Sequence, residues 1–74
     1  MIEIQKNQKE VFRIEEKEFS GYKFVDIRIW FMADDGEYKP SKKGISLSPD
    51  KVHEVVEAIL QTMEDSNWKS FDTK

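Results

Sequence analysis

Few residues in this chain have the types and spacing that covalent chemistry needs. His53 is the single histidine, and with no cysteine in the sequence it has no thiol to activate. It sits about 100° around a helical wheel from Val52, on the flank of an apolar stripe, where a surface role is the simplest reading. One histidine among scattered carboxylates offers no metal-ligand spacing, and no cofactor is expected. Asp34 and Asp35 are paired carboxylates, but neighbouring turn residues point apart, and Asp is a favoured turn former. Ser46 and Ser48 lack a nucleophile elbow. Gly36 and Gly44 enclose no phosphate-loop pattern. The sequence gives no positive reason to expect an enzyme.

The informative chemistry is non-covalent. Lys17, Phe19, Tyr22, Lys23, Arg28, Trp30, Phe31, Tyr38, Lys39, Lys42 and Lys43 all fall within 27 residues. Single-stranded nucleic acid asks for this combination, because unstacked bases need flat π surfaces and the backbone needs positive charge beside them. A stacked base contributes about 1–3 kcal/mol, so two or three exposed aromatics suffice to matter. Aromatics are also favoured in strands and cores, so some of these must be structural.

The elements that must position these residues can be read from the pattern. Ile2 and Ile4 alternate within a polar start, either a short arm or a first edge strand. Lys9 to Phe19 reads as a charged, half-exposed strand, and Ser20-Gly21 as a turn. Tyr22 to Met32 is the strongest strand. One of its faces carries Lys23, Val25, Ile27, Ile29 and Phe31. The other carries Tyr22, Phe24, Asp26, Arg28, Trp30 and Met32, mixing aromatics with charge as a face meeting solvent or a ligand would. Asp34-Asp35-Gly36 supplies a hairpin turn. Glu37-Tyr38-Lys39 reads as a short return strand limited by Pro40, Ser41-Lys42-Lys43-Gly44 as a basic loop, and Ile45-Ser46-Leu47 as a final short strand. Ser48 at the N-cap, Pro49 and Asp50 then open a helix. Val52, Val55, Val56, Ile59, Leu60 and Met63 form one apolar stripe along it, and the helix is expected to end near Asp65-Ser66-Asn67, before a tail with Trp68 and Phe71.

Composition sets bounds on this reading. Seventy-four residues, 8.8 kDa, suffice for one small domain whose core is marginal, so a homodimer is expected. The absence of cysteine excludes disulfide frameworks and fits an intracellular address (cytoplasm, nucleoid or nucleus). The longest apolar run, Ile29 to Ala33, is far short of a membrane span, and no membrane partner is expected. The net charge of −3 argues at first against nucleic acid. Its distribution removes that objection, because residues 1–48 are neutral and the whole deficit lies in residues 49–74.

The order of residues adds a resemblance. Val25-Asp26-Ile27-Arg28, Gly36-Glu37-Tyr38-Lys39-Pro40 and Lys43-Gly44-Ile45-Ser46-Leu47-Ser48-Pro49 stand in one register, from Phe19 through Pro49. Together they resemble the transcriptional positive cofactor 4 family of coactivators, over about residues 10–65. The resemblance implies an α+β fold, a curved four-stranded antiparallel sheet followed by one C-terminal helix, assembled as a homodimer. It also implies binding of single-stranded DNA with little sequence preference. A single domain is expected, with residues 1–9 as an N-terminal arm and 66–74 as a tail.

By position, Phe19 matches a base-stacking aromatic of that family, and Phe31 stands where the family has tryptophan. Arg28, Lys39 and Lys43 match basic residues, while Lys17 and Lys42 stand where it has arginine; the resemblance implies that these are phosphate contacts or structural pairs. Ser20 and Tyr22 replace lysines beside the first turn, which Lys23 partly offsets. Glu10 falls near a family lysine, with Lys9 adjacent, and Val52 replaces a tryptophan. The family's Ser/Lys-rich tail has no counterpart in these 74 residues. The expected nucleic-acid-binding set is therefore Lys17, Phe19, Tyr22, Lys23, Arg28, Trp30, Phe31, Lys39, Lys42 and Lys43. The expected partners are single-stranded DNA, RNA as a variant ligand, a second copy of the chain, and components of the transcription machinery. The alternative is a protein-interaction module on the same scaffold that binds nucleic acid weakly or not at all.

Overall fold

The computed structural model describes residues 1–65, so Trp68 and Phe71 lie outside the described residues. Four strands are followed by one helix: β1 (Ile2–Gln5), β2 (Glu10–Phe19), β3 (Tyr22–Met32), β4 (Tyr38–Leu47) and α1 (Pro49–Asp65). The strands form one antiparallel sheet in the order β1-β2-β3-β4. Each pairs with its neighbour in sequence, so the chain closes only short turns as it builds the sheet. The molecule is a slab of 38 × 35 × 18 Å, its thinnest dimension set by one sheet and one helix.

Turn chemistry sets the register. Phe19 pairs with Tyr22, leaving Ser20 and Gly21 as a two-residue loop with φ of 52° and 83°. Two positive φ angles define the tight hairpin whose twist matches that of the strands. At the other end of β3, Gly36 (φ 84°) donates from its N–H to the Ala33 carbonyl at 3.0 Å, and the Asp35 carboxylate caps the Glu37 N–H at 3.0 Å. Asp35 is thus a turn former, as its position predicts.

Two expectations are corrected. Ser41-Lys42-Lys43-Gly44 is not a loop between separate strands. It lies within β4, which runs unbroken from Tyr38 to Leu47 around a bulge. Between the pairs Arg28↔Gly44 and Trp30↔Pro40, β3 has one residue, Ile29, and β4 has three, Ser41 to Lys43. Pro40 is tolerated because β4 is an edge strand, with an unpaired side for the missing N–H. The N-terminal segment is an edge strand rather than a free arm, since Ile2 pairs with Ile14 and Ile4 with Phe12.

The core is very small. Val11 is the only fully buried hydrophobic residue among those described, and Asp26, at 3% exposure, is the only buried charge. Pairing places Ile2, Ile4, Phe12, Ile14, Val25, Ile27, Ile29, Ile45 and Leu47 on one face of the sheet. That apolar face is half-buried at best. Helix α1 meets β3 and β4, yet none of its residues is buried. Val52 and Val55 are partly covered; Val56, Ile59, Leu60 and Met63 stay about half exposed. Ser48 starts the helix, its carbonyl accepting from the Lys51 N–H at 2.9 Å. Hydrogen bonding with Ser48 and with its own backbone N–H holds the Asp50 carboxyl below its ordinary value, the signature of a carboxylate in a helix's first turn.

Candidate nucleic-acid interface

The β2–β3 ladder is continuous from Glu10↔Phe31 to Phe19↔Tyr22, so nothing interrupts the alternation of side chains along β3. Lys17, Phe19, Tyr22, Arg28 and Trp30 therefore share one face, and Lys23, Phe31 and Lys39 the other. Lys42 and Lys43 project from the β4 bulge, both exposed. Along β3, Tyr22 and Phe31 lie about 30 Å apart. Seven of the ten predicted residues thus form three groups rather than one, and Lys17, Arg28 and Trp30 lie apart from these on the charged face of β3.

The first group is at the β2–β3 hairpin tip. Phe19 is 74% exposed and Tyr22 78%, facing each other across the last pair of the ladder. Neither contributes to the core, so both rings are open to a ligand. Lys23 is next in the chain but on the opposite face, 4.0 Å from Glu16.

The second group lies at the other end of β3. Phe31 lines a cleft of about 630 Å³ with Asn7, Gln8, Lys9, Glu10 and Met32. Asn7 builds the wall, its side-chain oxygen accepting from the N–H groups of Lys9 and Glu10 at 2.9 Å. The Met32 N–H donates to the Lys9 carbonyl at 2.8 Å, tying this turn to β3. Hydrogen bonds from Asn7 and then Lys6 hold the Glu10 carboxyl below its ordinary value, although partial burial opposes them. The charges of Lys6 and Lys43 add to the lowering. Lys39, opposite Phe31, is 3.2 Å from Asp35.

The third group is the bulge. Among the described residues Lys42 and Lys43 make no ion pair, whereas Lys17, Lys23 and Lys39 all do. Cations of the sheet region without a close ion pair among the described residues are thus Lys42, Lys43 and Lys9, with the charge of Lys43 acting on Glu10 at longer range.

The charged face of β3 is also not what its pattern predicts. Asp26 sits at its centre as the most buried polar residue, and Arg28 reaches it with Nη2 at 3.1 Å and Nε at 3.3 Å. Lys17 lies 3.7 Å away and the Ser46 hydroxyl 3.4 Å. Burial alone would raise the Asp26 pKa. The Arg28 hydrogen bond and charge, with Lys17 and Ser46, outweigh it, and the net direction is down. Trp30 is covered rather than presented, with the Arg13 guanidinium carbon 4.3 Å from its ring centre. Arg13, Ser41 and Asp26 are structurally important residues outside the set expected from the sequence to bind nucleic acid. The available signal for Arg13 was its pairing opposite Arg28, a like-charge contact that demands acidic neighbours, here Glu3 and Asp26.

Among the described residues no helix is long and apolar enough to cross a membrane. No group of three or more His, Cys, Asp or Glu gathers there as metal ligands would.

The family model described as Transcriptional Coactivator p15 (PC4) matches residues 6–58. The chain belongs to the PC4 family. Solved structures agree with the match. A PC4 homologue from Burkholderia pseudomallei superposes with a TM-score of 0.78 at 27% identity, over 84% of this chain. The match covers 84% of the homologue in its orthorhombic crystal form and 91% in the tetragonal form. The bacteriophage T5 homologue of the eukaryotic transcription coactivator PC4 shares the fold. Its TM-score is 0.73 at 23% identity, covering 97% of this chain and 84% of that one. The four-stranded sheet with one following helix is therefore the PC4 fold, and the resemblance from Phe19 to Pro49 reflects family membership.

Proposed function

We propose that the protein is a homodimeric, coactivator-like module that binds single-stranded DNA with little sequence preference. The observation that carries this reading is the hairpin tip. Two aromatic side chains, Phe19 and Tyr22, are almost fully solvated on a PC4 fold and have no packing role there. Stacking on such rings tolerates any base, because every base has a π face. Phe31, at the mouth of the Asn7–Glu10 cleft, offers a second platform, and Lys42 and Lys43 supply charge for the backbone.

The dimer is supported by the shortage of core. Among the described residues a single hydrophobic side chain is fully buried, a thin core for a fold of this size, and the exposed stripe of α1 adjoins a sheet with a half-buried apolar face. A second copy covering both supplies the missing burial. Transcription is the process expected from the family. The phage homologue is described as implicated in recombination-dependent DNA replication, which makes replication a second setting for the same binding.

Titration of an unstructured oligothymidine at two salt concentrations, read by anisotropy, tests the proposal. Binding at low salt that weakens as salt rises is the expected result. No binding at low salt would sink it. Competition between matched RNA and DNA oligomers decides the preferred ligand. A protein-interaction module is the second reading, favoured by the pairing of Lys17, Lys23 and Lys39 with carboxylates. Capture of a protein partner without any oligonucleotide binding would support it instead.

A further inference from the structure

The β4 bulge is built, and what holds it is not local to β4. Ser41 fastens its first residue, its hydroxyl donating to the Ile29 carbonyl at 2.7 Å and accepting from the Lys43 N–H at 3.1 Å. The Ser41 carbonyl accepts from Arg28 Nη1 at 3.0 Å. The other two nitrogens of that guanidinium are held by the buried carboxylate of Asp26. Gly44 leaves the room: a Cβ there would stand 3.0 Å from Arg28 Cζ and 2.7 Å from the Ile27 carbonyl oxygen. Arg28 thus lies across Gly44 with each nitrogen committed, its charge already matched by Asp26. The two lysines that follow Ser41 have no such partner.

We infer that Arg28, gripped by Asp26 and passing over Gly44 to the Ser41 carbonyl, is a positioning residue that holds the bulge so that Lys42 and Lys43 present adjacent free ammonium groups to a nucleic-acid backbone. The inference rests on the single-strand-binding reading above and assigns the backbone-contacting role to the bulge lysines rather than to Arg28. A planar fork is what the task needs, since it bridges a carboxylate and a carbonyl in fixed geometry, which a lysine cannot do. An extra-residue bulge otherwise leaves its backbone groups unpaired, and here the Arg28 and Ser41 bonds take up that deficit.

The test compares Arg28→Lys, Asp26→Asn and Ser41→Ala with the unaltered full chain, each titrated with oligothymidine across a salt series. Arg28→Lys keeps the charge and loses the fork. Asp26→Asn makes the protein more positive, so charge alone would tighten binding. Ser41→Ala leaves every charge in place on an edge strand, which keeps the test available if the Asp26 variant fails to fold. All three are expected to weaken binding on the order of 10-fold at about 0.1 M salt. They are also expected to flatten the log K–log salt slope by up to about 1.4, the value for two single-strand phosphate contacts. In a Lys42→Ala/Lys43→Ala background the same changes should cause no further loss.

Amide hydrogen exchange at Lys43, read without DNA, should rise in each variant. Wild-type affinity in Arg28→Lys, tighter binding in Asp26→Asn, or losses that persist without the two lysines would overturn the inference and leave the binding reading standing. Failure of the unaltered chain to bind would remove both.

Discussion

Arg13 stacks its guanidinium carbon 4.3 Å from the centre of the Trp30 ring and 5.6 Å from that of Tyr38, while its Nε donates to Glu3 at 2.9 Å. One side chain on β2 thereby ties β1, β3 and β4 together across a single face. The stack holds Trp30 as part of the structure, and its indole N–H is buried without a partner. Arg13→Ala should therefore lower stability by about 1 kcal/mol and uncover the ring. Iodide quenching of Trp30 fluorescence, measured in a Trp68→Phe background, should increase in the folded variant. Unchanged quenching would show that Arg13 does not shield the ring.

Phe19 and Tyr22 are opposite in character, since both are exposed and pack on nothing that folding needs. Phe19→Ala with Tyr22→Ala is expected to leave the thermal midpoint nearly unchanged. Oligothymidine affinity should fall by about 1–3 kcal/mol per stacked base lost, roughly 5- to 150-fold for one. The salt slope should stay the same, because no phosphate contact is removed. A change in slope with no change in affinity at low salt would place base stacking elsewhere.

Asp26 gives the stability a defined pH dependence. Its folded pKa is lowered, so it contributes stability that is fully present above the ordinary aspartate range and is lost as pH falls through the lowered value. Asp26→Asn should be less stable at neutral pH by about 1.5–3 kcal/mol, the magnitude of hydrogen bonds to a charged group. The difference between the two proteins should shrink below about pH 4 and vanish in stronger acid. Glu10 and Asp50 are lowered as well, so the difference between variant and wild type isolates Asp26. Thermal melts over a pH series provide it, and a difference that grows in acid would contradict the assignment.

Parts of this architecture are legible in the sequence for local reasons. The Tyr22–Met32 strand is dense in β-branched and aromatic residues, and the helix has both its cap and its stripe. The two ends of β4 are legible as strand but its middle is not, because Pro40 followed by Ser-Lys-Lys-Gly has the composition of a loop. What makes it a strand is Ser41 bonding Ile29 and Arg28 bonding Ser41, partners 12 and 13 positions away that no local pattern displays. The same holds for Asp26. Alternation puts it on a mixed polar face, and only the convergence of Arg28, Lys17 and Ser46 explains why it is buried. Of the candidate site, residue types are legible and grouping is not. Phe19 and Phe31 look like one constellation in sequence, but they occupy opposite ends and opposite faces of the hairpin.

The stripe of α1 leads to the last prediction. Ile59 and Leu60 are each 55% exposed, and Val56 and Met63 are nearly as open, an arrangement that isolated surface helices avoid. If a second copy covers this face, the folded state is linked to association, and the melting temperature rises with protein concentration. Leu60→Glu puts a charge where the partner would exclude water, so sedimentation should report a monomer for the variant and a dimer for the unaltered chain. The variant should also melt at a lower temperature that no longer depends on concentration. DNA affinity should fall with the dimer, because two linked sets of stacking rings act on one strand at high effective concentration and a lone set does not. A Leu60→Glu protein that stayed dimeric would remove the helix from the interface and leave the apolar sheet face as the surface through which two copies meet.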